Sequence, residues 1–426
     1  MNISFLKRDK MVHRKIESTI IQMLNSFRIV AINGPRQSGK TTLQKKIAKS
    51  KDMKYYTFDQ SKTFNIASQN PEDFITYISK DENIAIDEVQ MIPEIVPAIK
   101  MSVDEENRKG MFLLTGSSDM FKNSKIKESL AGRMVSFNLF PLSYAEINNR
   151  DYNVIDKLFS DDFNKFDLDE NISREDLISA VINGGYPEVY ELGVKEKKAW
   201  FDFYIKARIT KDIASLENVH LDTIKHLDKL LKAMACQISS LVNYSNIAKN
   251  IEINDKTVAK YIQILEALYI IKLTPAYSNN RLKRVAKKPK VHFIDTGLAS
   301  YLLNVDIKGS MLGSNEYLGN LVESFVYSEL IKHQSYANTD IEIFHYRDLT
   351  NKEVDFVLES SSGEIVALEI KSGSNVKKEH FNGLVSLAKT MKNKNFKGIL
   401  LYGGDDILPY TIEDFKFWII PLKILI

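Results

Sequence analysis

Cysteine is all but absent from this chain: one residue, Cys236, among 426. A single thiol rules out an intramolecular disulfide and a cysteine-only zinc site. The seven histidines are scattered without the spacing of metal ligands. No run approaches the roughly 18 apolar residues that a membrane helix needs. The opening Met-Asn-Ile-Ser-Phe-Leu-Lys-Arg-Asp-Lys lacks the apolar centre of a signal peptide. A cytoplasmic protein without a membrane partner is expected. Charge of one sign is scarce too. A formal +3 is too small to imply polyanion binding by the whole molecule, so any basic surface must be local. What remains is ordinary for a globular protein, 44% hydrophobic and 27% charged. It is long enough for two or three domains, each with a core of its own.

One segment departs from this plain background. Gly34-Pro35-Arg36-Gln37-Ser38-Gly39-Lys40-Thr41-Thr42 fits G-x-x-x-x-G-K-[ST] in full. The apolar run Arg28–Ile32 before it predicts a buried strand. Leu43, Ile47 and Ala48 after it recur at helical spacing. In that context the loop's N–H groups, at a helix N-terminus, would close around a β-phosphate. Lys40 would neutralise the β/γ oxygens, and the Thr41 hydroxyl would hold Mg²⁺. The expected cofactors are therefore ATP and Mg²⁺.

Two further strands carry matching chemistry. Asn83–Ile86 is apolar and runs into Asp87-Glu88. Asp87 would support the Mg²⁺ shell, and Glu88 would polarise the attacking water. The plainer alternative is an acidic helix cap after a strand. Met111–Leu114 ends in Thr115-Gly116-Ser117-Ser118, where Ser117 could touch the γ-phosphate or the water; Gly-Ser-Ser is also ordinary loop composition. Beyond it, Arg133 in Leu130-Ala131-Gly132-Arg133 could complete the site in cis, or in trans from a second copy. An exposed arginine with no catalytic part is the alternative.

These motifs, in this order, resemble a family of prokaryotic AAA-type ATPases with a C-terminal domain of uncharacterised role. Gly184-Gly185-Tyr186-Pro187, Tyr204–Asp212 and Lys290-Val291-His292-Phe293-Ile294-Asp295-Thr296-Gly297-Leu298 extend the resemblance over residues 15 to 405. The resemblance implies an α/β fold in three parts. These are an AAA-type P-loop NTPase domain with a parallel sheet, a helical and winged-helix middle, and a nuclease-like end.

The remaining residues, taken on their own physics, agree with that outline. Expected boundaries are 1–150 for the ATPase domain, 151–200 for a helical lid or linker, 201–290 for the winged-helix-like domain and 291–426 for the nuclease-like domain. Tyr244–Lys249 and Asn254–Tyr269 predict a helix, a turn and a second helix, with Asn254 as cap. Val258, Tyr261, Ile262, Leu265 and Leu268 share one face, while Lys256, Lys260 and Gln263 face away. Ile270–Tyr277 and the basic Arg281-Leu282-Lys283-Arg284 would make the wing. Such a module binds DNA or a protein partner. Arg281, Lys283, Arg284, Lys287, Lys288 and Lys290 form a basic run, suited to phosphate contact or simply solvated.

The last third holds a second constellation. Glu323 lies on a predicted helix, Gly319–Ile331. Asp355 lies on a strand, Val354–Leu358, and fourteen residues later Glu369 precedes Lys371 on another. Alternation puts Glu369 and Lys371 on one side of their strand. The helix–strand–turn–strand order resembles the PD-(D/E)xK nuclease core, without its literal Pro-Asp. Glu323, Asp355 and Glu369 would hold Mg²⁺ or Mn²⁺, and Lys371 would orient the water. Ionic pairing on a hairpin would give the same E-x-K. Two functions stay open: an ATP-driven enzyme that cuts DNA, or an ATP-dependent switch that only binds DNA or a protein, with a homo-oligomer possible in either case.

Overall fold

Five parallel strands build the N-terminal sheet: β1 (Ile29–Asn33), β2 (Lys54–Thr57), β3 (Ile84–Asp87), β4 (Phe112–Gly116) and β5 (Met134–Asn138). Their order is β2-β3-β4-β1-β5. The computed structural model describes residues 12–117, 130–160, 163, 168, 171–209, 221–280, 282, 284, 287–311, 313, 315–391 and 395–426. β1 is apolar up to Asn33 and buried at every position, because a parallel sheet covered on both faces has no wet side. Val30 and Ile32 pack under α1 (Glu17–Leu24) and α2 (Lys40–Ser50). Ile29 and Ala31 face α3 (Ser61–Gln69), α4 (Pro71–Ser79) and α5 (Ile95–Glu106). The strands expected at 28–32, 83–86 and 111–114 are present, each starting one residue later.

Strand order does the positioning. β4 lies between β1 and β3, so the phosphate loop, the Thr115–Ser117 turn and the acidic pair emerge side by side at one edge of the sheet.

The middle of the chain contributes α6 (Leu221–Cys236), α7 (Tyr244–Ile251), α8 (Asp255–Ala267) and an antiparallel hairpin of β6 (Ile271–Thr274) and β7 (Lys290–Phe293). Asn254 caps α8, accepting from Thr257 N at 2.8 Å. Val258, Tyr261, Ile262, Leu265 and Leu268 are buried as the periodicity predicts. The boundary expected at 290/291 does not hold. Lys290 pairs with Thr274 and bridges to Leu241, so the basic run is the loop inside a hairpin, not the end of a domain.

A six-stranded sheet closes the chain. It is built of β8 (Ile341–Arg347), β9 (Glu353–Ser360), β10 (Ile365–Lys371), β11 (Phe396–Tyr402), β12 (Leu408–Ile412) and β13 (Phe415–Pro421), in the order β12-β13-β11-β10-β9-β8. Helix α9 (Leu318–Gln334) packs on one face and α10 (Asn382–Thr390) on the other. The last strand, β13, stops at Pro421, and Leu422–Leu425 is a single buried turn.

One hydrophobic core runs from Val154 to Ile426. The three expected modules after residue 150 therefore share a single body. The reason is α9, whose residues are buried on nearly every side, against the sheet and against helices of the middle. Among the described residues no helix is long and apolar enough to cross a membrane.

Candidate nucleotide site and a carboxylate–lysine cluster

The phosphate loop needs both of its glycines. A Cβ on Gly34 would stand 2.2 Å from the Leu139 carbonyl oxygen. Gly39, at φ 94°, turns the chain into α2 through a left-handed conformation that side chains disfavour. Pro35 and Ser38 are buried, Arg36 and Gln37 are half-buried, and Thr42 is exposed at the start of α2. Lys40 folds back over the loop, its Nζ donating to the carbonyls of Gly34 at 2.9 Å and Pro35 at 2.7 Å. Arg14 fastens the loop from outside. Its Nη1 donates to Ser38 O and its Nη2 to Phe140 O, each at 2.7 Å, and its Nε donates to Glu146 Oε1 at 3.0 Å.

Across from the loop, Asp87 is the acceptor on which three hydroxyls converge. Thr41 Oγ1 and Tyr55 OH donate to Oδ2 at 2.8 and 2.9 Å, and the Thr115 hydroxyl donates to Oδ1. Burial, then the facing Asp87 charge, pushes the Tyr55 phenol far above its ordinary range, so it stays a donor. The Thr41 hydroxyl beside the Asp87 carboxylate is the hard-oxygen pair that suits Mg²⁺. Glu88 follows at φ 58°, a left-handed residue that breaks the strand's alternation. Its carboxylate accepts from the Gln90 amide, which also donates to Ser117 Oγ at 2.9 Å. Around this mouth Asn33 Oδ1, Ser38 Oγ and Gln90 Oε1 are buried oxygens with no partner.

Lys40, Thr41, Asp87, Glu88 and Ser117 are thus brought to one edge. Arg133 is not. It precedes β5 and its carbonyl accepts from Ile29 N, at the end of the sheet opposite the loop. The guanidinium pairs with both oxygens of Asp104, at 2.5 and 2.9 Å. A cis role is corrected on that geometry: the parallel pairing of β1 and β5 carries Arg133 a full strand length away. Arg14, Tyr55, Gln90 and Thr115 were not picked out by sequence reasoning. Thr115 stood inside a motif already recognised and Gln90 two residues beyond the acidic pair; for Arg14 and Tyr55 no sequence signal existed.

The C-terminal carboxylates also converge. The β9–β10 ladder ends by pairing Phe356 with Leu368, the neighbours of Asp355 and Glu369. Asp355 Oδ2 accepts from Ile370 N at 2.9 Å, and Lys371 Nζ donates to Glu369 Oε1 at 2.7 Å. The unexpected member is Lys290. Its Nζ donates to Glu323 Oε1 at 2.9 Å and lies 3.5 Å from Asp355 Oδ1. Burial alone would discharge Lys290, but the Glu323 and Asp355 carboxylates outweigh it and hold the ammonium. Burial, then the Asp355 charge, raises both Glu323 and Glu369 well above the carboxylate range.

The donor chemistry fits a hard divalent cation. All three acids offer carboxylate oxygens, and Glu369 Oε2 is buried with no hydrogen-bond partner. The spacing differs from the expectation. Among the described residues no group of three His, Cys, Asp or Glu side chains stands close enough to hold a metal. The Lys290 ammonium stands between Glu323 and Asp355, where the cation was expected.

Lys290 also changes the reading of the basic run. It and Arg284 are buried and paired, Arg284 with Glu359 at 2.5 Å, so neither offers its charge to a phosphate backbone. Lys287 and Lys288 are exposed, while Arg281 and Lys283 lie outside the described residues.

With this geometry in place, comparison with known proteins is direct. A family profile described as "AAA domain" matches residues 26–148. The stretch that carries the phosphate loop is thus similar to AAA domains. Beyond the AAA domain, two profiles described as domains of unknown function match residues 174–308 (DUF8612) and 318–425 (DUF4143). The first runs across residue 291, as the β6–β7 hairpin does.

Full-length relatives carry no assigned role. An uncharacterized protein of Mycobacterium tuberculosis is 27% identical over 364 residues, 85% of this chain and 74% of its own. One of Methanocaldococcus jannaschii is 22% identical over 430 residues, 97% of this chain and 90% of its own. Among solved structures, a Walker-type ATPase of Pyrococcus abyssi is 14% identical, covering 70% of this chain and 97% of that one, with a TM-score of 0.42. AMPPCP-bound DnaA from Aquifex aeolicus is 15% identical, covering 62% and 93%, with a TM-score of 0.29.

Proposed function

We propose that this protein binds and hydrolyses ATP at the AAA domain, and that the cycle acts on a DNA-directed, nuclease-like body formed by the rest of the chain. The observation that carries the reading is the meeting of Lys40, Thr41, Asp87, Glu88 and Ser117 at one edge of the five-stranded sheet. Lys40 exchanges two carbonyl partners for the β/γ-phosphate oxygens. Thr41 and Asp87 would hold Mg²⁺, which would neutralise phosphate charge. Glu88 takes the proton of the attacking water, and Gln90 keeps Glu88 and Ser117 in one orientation.

The DNA-directed part rests on two features. The helices α7 and α8 followed by a hairpin have the order of a winged helix, with Lys256, Gln263 and Lys260 exposed on α8. Asp355, Glu369 and Lys371 lie together on paired strands, the arrangement a phosphodiester-cleaving site uses. A second reading, an ATP-dependent switch that binds without cutting, is favoured by Lys290, which already pairs with two of the three carboxylates.

ATPase and plasmid-cleavage assays on four proteins test this. Lys40→Ala should lose ATP binding, and Glu88→Gln should bind ATP but turn over at least 100-fold more slowly, as removal of a general base does. Wild type with Mg²⁺ or Mn²⁺ should cut DNA, and Glu369→Gln should not. Unchanged hydrolysis in the Glu88 variant refutes the base assignment. Normal ATPase without cutting assigns the protein to the switch.

A further inference from the structure

We infer that Lys290, delivered from the middle of the chain, is the resident cation of the C-terminal carboxylate cluster and competes with a divalent metal for it. The inference rests on the reading of Glu323, Asp355 and Glu369 as metal-binding acids, and names what controls access to them.

Three elements meet at this point. Glu323 comes from α9, Asp355 from β9, and Lys290 from β7. Lys290 is 4% exposed, and its backbone is fixed by pairing with Thr274 and by the bridge to Leu241. Its ammonium therefore enters the cluster from an element that belongs to the hairpin of the middle segment. No side chain of the nuclease-like strands does this work, since Lys371 is spent on Glu369.

The unsatisfied oxygen points the same way. Glu369 Oε2 is left without a donor even with Lys290 and Lys371 in place. A divalent cation drawing on Asp355 and Glu369 would take up that oxygen, but it would stand within a few ångströms of an ammonium held by Glu323 and Asp355. Like charges that close repel strongly in a buried site. Lys290 must then turn away, so metal and ammonium are alternative occupants. The hairpin that carries Lys290 is tied to the edge strand as well: Tyr277 N donates to His345 O at 2.6 Å. Loading the cluster is thus linked to the position of the β6–β7 hairpin.

Calorimetric titration of Mn²⁺ into nucleotide-free, full-length protein tests the competition. Lys290→Gln, which keeps length but removes charge, should bind at least tenfold more tightly than wild type. Lys290→Arg, which keeps the charge, should not gain affinity. Asp355→Asn/Glu369→Gln should lose the site. If Lys290→Gln binds no more tightly than wild type while the double variant still loses binding, the competition is refuted and the metal site stands. If the double variant binds Mn²⁺ as wild type does, or neither wild type nor Lys290→Gln binds it, the metal-site reading itself fails. Should Lys290→Gln unfold, recovery of its melting transition by Mn²⁺ supports replacement of one cation by the other, and absence of recovery refutes it.

Discussion

Replacing Arg284 by methionine would remove a buried guanidinium from the loop between β6 and β7. The side chain donates to Glu359 Oε2 at 2.5 Å and to Ser278 O at 2.7 Å, and lies 4.6 Å from the ring centres of both Tyr277 and Phe344. The two partners are 9% and 10% exposed. Removing one member of such a pair costs about 3–5 kcal/mol, because the other stays buried without a counter-charge. Methionine refills much of the volume over the rings, so packing loss is small. Lost cation–π attraction adds about 1 kcal/mol. Glu359→Gln should cost a similar amount, and the double variant about 2–3 kcal/mol less than the two singles added. Both tryptophans, Trp200 and Trp418, pack against the shared core, so their fluorescence follows this body and not the AAA domain. With a urea dependence of about 2–3 kcal/mol per molar, the Arg284→Met midpoint should fall by about 1–3 M. DNA binding should keep its salt slope. A loss below about 1 kcal/mol together with a flatter salt slope would refute the docking argument and return Arg284 to phosphate contact.

Two further outcomes follow from the same geometry. Arg133→Ala should keep both ATP affinity and turnover within about twofold, since the guanidinium is engaged by Asp104 far from the loop; lost turnover with retained affinity would place it in a neighbouring copy's site. His345 is held neutral, its pKa lowered to about 4 by burial first and then by the Lys290 charge, so stability is full above the unfolded value near 6.5 and falls as pH drops, by about 3 kcal/mol at pH 4. His345→Gln keeps a donor for Lys288 O but does not titrate, so its urea midpoint should fall less than wild type's between pH 6.5 and pH 4; parallel curves would refute the assignment.

Legibility differed sharply between the two sites. The phosphate loop is contiguous, so its strand, glycines, lysine and threonine could all be read in one stretch. Asp87 and Glu88 were legible because a strand must end in them to reach the loop. The place of Arg133 was not legible, because its number along the chain says nothing about which end of a parallel strand it occupies. The C-terminal acids were found through alternation, which does put Glu369 and Lys371 on one side. Lys290 was read as one charge in a basic run, although it alternates with the buried His292 in a strand buried throughout. Its partners lie 33 and 65 residues away, and no local pattern encodes them. The pairing of β6 with β7 across the basic run was hidden for the same reason: a charged loop gives no local sign that its flanking strands pair.

A continuous set of contacts joins the two sites. Arg14 holds the phosphate loop through Ser38 O and holds Glu146 through its Nε. Glu146 closes a capping box with Ser143, and the next residue, Tyr144, donates its N–H to Glu329 Oε2 at 2.9 Å. Glu329 is fully buried, paired with Lys332 at 2.8 Å, and sits on α9, the helix that also carries Glu323. Burial raises Glu329 above its ordinary range, and the Lys332 charge and the Tyr144 N–H work against that rise. Contiguity of this kind is not coupling by itself; coupling requires an element with two arrangements that both sites bias. The proposed function supplies such an element at each end. Lys40 would exchange loop carbonyls for phosphate at one end, and in the proposed competition Lys290 would yield its carboxylates to a metal at the other. Helix α9, buried along most of its length, carries both Glu329 and Glu323 and is the element through which the two arrangements would be linked.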